Sequence, residues 1–90
     1  MTKTIVTDHF RERVKERLRG VDPDKLANAF TDAIDRRHPD VCYQGRNKFG
    51  DREPSRRFCH SGRACGNIVA VVSDATHGHL TFLTVYLEAP

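Results

Sequence analysis

Ninety residues, 38% hydrophobic and 30% charged, suffice for one folded domain spanning 1–90 and exclude both a disordered chain and a two-domain protein. Fifteen Lys and Arg against twelve Asp and Glu give a net charge of +3, too small to establish a polyanionic partner by itself. The opening MTKTIVTDHF has no long apolar run behind a basic start, and no segment approaches the roughly 18 apolar residues of a membrane span, so a soluble cytoplasmic protein with no membrane partner is expected.

In chain order, Phe10, Val14 and Leu18 recur every four residues and predict a helix from Asp8 to about Arg19, stopped by Gly20. A second helix follows with a full set of start signals. Asp22 stands as N-cap, Pro23 at the first helical position and Asp24 in the first turn, with Val21 placed to pack on Leu26. Leu26, Ala29, Phe30, Ala33 and Ile34 are its expected buried face, Arg36 and Arg37 suit its C-terminus, and Pro39 ends it.

Beyond Pro39 the pattern changes to short apolar runs. VCYQG (41–45) and RFCHS (57–61) read as strands on either side of a polar loop, 46–56. NIVAVVS (67–73) is apolar on both faces, as for a central strand, and LTFLTVYL (80–87) is β-branched and aromatic. SGRACG and DATHGH supply turns, so the last three strands are expected as an antiparallel meander. The expected fold is α+β, with two helices on one face of a small four-stranded, mainly antiparallel sheet in the order α-α-β-β-β-β.

The positive charge is concentrated. Residues 38–67 carry Arg46, Lys48, Arg52, Arg56, Arg57 and Arg63, whereas 68–90 contain neither Lys nor Arg. The loop 46–57 reads first as a mobile surface loop and second as a phosphate-contacting arm, through Arg46 and Lys48, with Phe49 available to stack on a base. On the first helix His9, Arg13 and Arg17 form a row one turn apart, about 5.4 Å along the axis, at the rim where helix meets sheet. A row of this kind either keeps a helix soluble or grips successive phosphates beside a proton-transfer group.

The pattern His9-x-x-x-Arg13-x-x-x-Arg17, followed by GVD at 20–22 and the segments RFCHSG, GNIVAVVS and LTFLTVYL, resembles small prokaryotic and phage proteins of the RelE/BrnT-like toxin class. The resemblance implies a RelE-like fold and a metal-independent endoribonuclease, encoded on a phage or mobile element beside an antitoxin. It also implies working residues on the sheet, matched here by Arg57, His60, Arg63 and Tyr86. No dense Lys/Arg run occupies the last strand, which is a departure from that class.

Metal-free RNA cleavage needs a base for the 2′-hydroxyl, a cation at the phosphate and an acid for the leaving 5′-oxygen. Histidine as a residue type titrates near neutrality, so His9 or His60 can serve as base or acid, Arg13, Arg17 or Arg57 can hold phosphate, and Tyr86 can donate a proton or stack. No cofactor or metal is expected. Cys42, Cys59 and Cys65 are an odd number without a C-x-x-C pair, and Cys59 and His60 would face opposite sides of a strand, so reduced packing thiols are favoured over zinc ligands. His77 and His79, flanking Gly78, read as solvated turn residues. Three functions remain open: a toxin-like ribonuclease, a non-catalytic module that holds RNA or other nucleic acid, and an inhibitor that engages a host protein.

Overall fold

The computed structural model describes residues 2–18, 20–42, 46–58 and 66–88. The chain runs β1 (Lys3–Val6), α1 (Asp8–Arg17), α2 (Pro23–Arg36), β2 (Val41–Cys42), β3 (Ser55–Phe58), β4 (Gly66–Ser73) and β5 (His79–Glu88). The strands form one mixed sheet in the order β1-β5-β4-β3-β2, with β1 parallel to β5 and every other pairing antiparallel. The α+β class, the two adjacent helices and the β3-β4-β5 meander are as expected, and β4 is a central strand.

The expected four-stranded sheet is corrected to five strands. KTIV is a short run with no turn signal behind it, and it becomes a strand through parallel pairing with residues 79–82, far beyond any local pattern. The first helix ends at Arg17, and β3 begins at Ser55, inside the expected loop. Of the expected strand 41–45, residues 41–42 are described.

Both helices pack on the face of the sheet that carries Ile68, Ala70, Val72, Leu80, Phe82 and Val85. Phe82 is the hub. Phe10 of α1 meets it edge-on at 5.3 Å between ring centroids, and Phe30 of α2 lies 6.4 Å away. Burying three aromatic rings about one point supplies much of the drive for this arrangement, since each buried aromatic is worth several kilocalories in a core.

The predicted apolar stripe of α1 is fully buried. That of α2 is corrected: Ala27, Phe30, Thr31 and Ile34 are buried, Leu26 packs at the margin, and Ala29 is exposed. A polar residue enters the core because the Thr4 hydroxyl donates to Thr31 Oγ1 at 2.7 Å, so neither oxygen is buried without a partner.

Asp22 caps α2 as expected, its carboxylate accepting from Asp24 N and Lys25 N. Thr7 caps α1, accepting from Phe10 N at 3.2 Å. The same hydroxyl donates to the Phe82 carbonyl at 2.8 Å and to Leu83 O at 3.3 Å, where the register of β4 and β5 shifts and leaves Leu83 as an extra residue. Among the described residues no helix is long and apolar enough to cross a membrane.

Candidate nucleic-acid interface

The described part of the stretch between β2 and β3, expected first as a mobile surface loop, is a hydrogen-bonded turn. Asn47 organises it: its side-chain oxygen accepts from Phe49 N and Asp51 N, both at 2.9 Å, and its backbone pairs with Gly50 and Asp51. Gly50 takes φ of 82°, a left-handed conformation that a side chain would strain. The far end is tied to the sheet through reciprocal backbone bonds between Arg52 and Val72.

Arg46 fastens the near end. Its guanidinium donates to both carboxylate oxygens of Asp74 at 2.7 Å, and to Gly50 O at 2.9 Å. These hydrogen bonds hold the Asp74 carboxyl below the usual carboxylate range, against the smaller opposing effect of burial. Arg46 is thus occupied as a strut. Lys48 and Phe49 are left at the tip, with the ammonium 5.1 Å from the ring centroid and Phe49 76% exposed. A large aromatic held outward on an ordered turn forgoes its burial energy of about 1.5–3 kcal/mol and leaves one ring face open beside a cation.

The row on α1 has other employment. His9 is exposed in the first turn, Arg13 pairs with Glu16 at 2.7 Å, and Arg17 donates to the Val85 carbonyl at 2.9 Å. Arg17 therefore reaches the sheet from the rim, as the helical spacing predicts. It meets backbone there, on β5 beyond the last residue paired with β1.

Arg57 and Tyr86 lie on the other face of the sheet. Tyr86 stands opposite Val69, which faces Ser55 on β3, and Arg57 projects two residues further along that strand. The Tyr86 hydroxyl donates to Glu53 Oε1 at 3.2 Å. Burial first, and the Glu53 carboxylate second, push the phenol above its ordinary range. Sequence patterns single out Tyr86 but not Glu53, whose meeting with it depends on the β3-β4-β5 register.

The α1 row and the Arg57–Tyr86 pair thus occupy opposite sides of the sheet, and the structure does not bring the two groups together. His60 and Arg63, with Cys59 and Cys65, lie outside the described residues. His77 is exposed, His79 pairs in register with Lys3 at the start of β5, and Cys42 is exposed. Compared with protein-family models, curated proteins and solved structures, the chain matches none.

Proposed function

We propose that this protein binds single-stranded nucleic acid, RNA foremost, with the Lys48–Phe49 turn as its contact. The exposed Phe49 ring on a braced turn, with Lys48 beside it, carries this reading. An aromatic face accepts any unpaired base, and an adjacent ammonium meets the phosphate that links it to the next. Duplexes hide their base faces, so single strands are the substrate class. The Arg46–Asp74 strut keeps the ring outward before the ligand arrives, which lowers the ordering cost of binding.

Fluorescence anisotropy with a labelled 12-nucleotide RNA tests it. Phe49→Ala is expected to weaken binding about tenfold, the weight of one stacked base. Lys48→Ala weakens it and reduces the salt slope by about 0.7, one single-strand phosphate contact. Equal affinity for Phe49→Ala and the parent protein sinks the proposal.

A second reading is the metal-independent endoribonuclease of the RelE/BrnT-like resemblance, with an antitoxin or host protein as partner. The Tyr86–Glu53 pair with Arg57 on the same sheet face favours it. In this scheme Glu53 takes the 2′-hydroxyl proton, the 2′-oxygen attacks phosphorus to form a cyclic phosphate, and Tyr86 protonates the departing 5′-oxygen. Arg57 holds the phosphate. Cleavage of RNA in EDTA that disappears with Tyr86→Phe distinguishes this enzyme from a binder.

A further inference from the structure

A cleft of about 410 Å³ lies where the C-terminus of α2 meets the Arg52 segment, lined by Ile34, Arg37, His38, Pro39, Val41 and Arg52. Its walls separate by chemistry. Ile34, Pro39 and Val41 contribute apolar side chains, and Arg37, Arg52 and His38 contribute two guanidinium-bearing chains and an imidazole. Arg37 makes no side-chain ion pair or hydrogen bond among the described residues. Arg52 forms a 4.0 Å ion pair with Asp74, a carboxylate that it shares with Arg46. His38 Nδ1 accepts from Asp40 N at 3.1 Å and lies 3.6 Å from Asp40 Oδ2.

The backbone adds an independent sign. α2 ends in a Schellman motif, with Arg37 N donating to Ile34 O and His38 N to Ala33 O. The left-handed position belongs to Arg37, at φ 52° and ψ 48°, where glycine is the usual residue. A strained conformation that retains a large charged side chain at the mouth of a cleft points to a use for that side chain.

We infer that this cleft binds a phosphate monoester carrying a flat apolar body, of the size of a nucleoside monophosphate. Two guanidiniums, Arg37 with no carboxylate partner among the described residues and Arg52 sharing Asp74 with Arg46, match a doubly charged phosphate better than a singly charged carboxylate. The volume lies in the lower part of the range for small-molecule sites, about 300–1,000 Å³, and exceeds what bare phosphate fills. The apolar side chains then take the base or a similar ring. None of these residues belongs to the Lys48–Phe49 tip, so the inference stands apart from strand binding there.

Titration of the isotope-labelled protein with adenosine 5′-monophosphate, followed by amide chemical shifts, tests it. Saturable shifts are expected at Ile34, His38, Val41 and Arg52, with millimolar or tighter affinity (~1 mM). Arg52→Gln and Arg37→Gly should each weaken binding about tenfold, one charge-assisted contact apiece. The glycine variant relieves the left-handed strain, so its loss cannot be ascribed to unfolding. Inorganic phosphate and adenosine, each lacking half of the ligand, should bind more weakly. Stronger shifts from a 5′-phosphorylated dinucleotide than from the monophosphate identify the source as a strand end, and the reverse identifies a free nucleotide; both support the site. Absence of saturation at these amides up to about 10 mM, a concentration well above the weakest specific binding expected, overturns it. So does unchanged affinity in both variants, while the Phe49→Ala result is unaffected by either outcome.

Discussion

Arg46 and Asp74 meet in a two-pronged pair, with both nitrogen–oxygen distances 2.7 Å, and so join the turn after β2 to the end of β4. Because the carboxylate is held below its ordinary pKa, the pair stabilises the turn fully above the unfolded value of about 3.9. That contribution is lost as pH falls through the depressed native value. Amide exchange at Phe49 and Asp51, taken relative to the intrinsic rate at each pH, is therefore expected to accelerate on acidification below about pH 4. In Asp74→Asn the acceleration should be present already at neutral pH, together with weaker RNA binding. Exchange rates in that variant equal to the parent's would show that Asn47 alone holds the turn.

Tyr86 has the opposite sign. Its phenol is raised by burial and by Glu53, so the folded state retains a proton that the unfolded chain loses near pH 10. Stability is complete below that pH and declines as pH rises towards the native value. Absorbance titration in a Tyr43→Phe background should place the midpoint above that of free tyrosine. Glu53→Gln should bring it down, and a midpoint that stays put would assign the shift to burial alone.

Arg37 offers a test of strain against use. A left-handed non-glycine residue costs about 1–2 kcal/mol, and glycine returns about 0.5–1 of this through its freer unfolded chain. Arg37→Gly should therefore be more stable by up to about 1 kcal/mol, raising the melting temperature by about 4–8 °C at most. Calorimetry showing clear destabilisation would mean that the arginine side chain is a structural support.

Thr7 serves two elements with one hydroxyl, capping α1 and holding the Phe82 and Leu83 carbonyls. Thr7→Val keeps the shape and removes both roles, at an expected cost of about 1–2 kcal/mol in urea unfolding. Thr7→Ser should recover most of that loss. Equal stability of the valine variant would indicate that water replaces the hydroxyl at the β5 edge.

Much of this architecture is legible in residue order. α2 declares its start through Asp22 and Pro23, and the four-residue spacing of Phe10, Val14 and Leu18 identifies the buried side of α1. The strands β4 and β5 follow from long β-branched runs. β1 is illegible because its pairing is parallel and remote, and the buried Thr31 because hydropathy cannot anticipate the hydroxyl of Thr4. The same limit applies to function. Phe49 can be named from sequence, but its bracing depends on Asp74, and the grouping of Arg37, His38 and Arg52 depends on where α2 ends against the Arg52 segment.

The parallel docking of Lys3–Val6 beside His79–Phe82 has a consequence for synthesis. During translation α1 and α2 emerge before the strand that contributes Phe82, so Phe10 and Phe30 lack their common partner until β5 leaves the ribosome. The helices therefore wait for β5, and the nascent intermediate, with its aromatic side chains uncovered, is the form most exposed to chaperones and proteases.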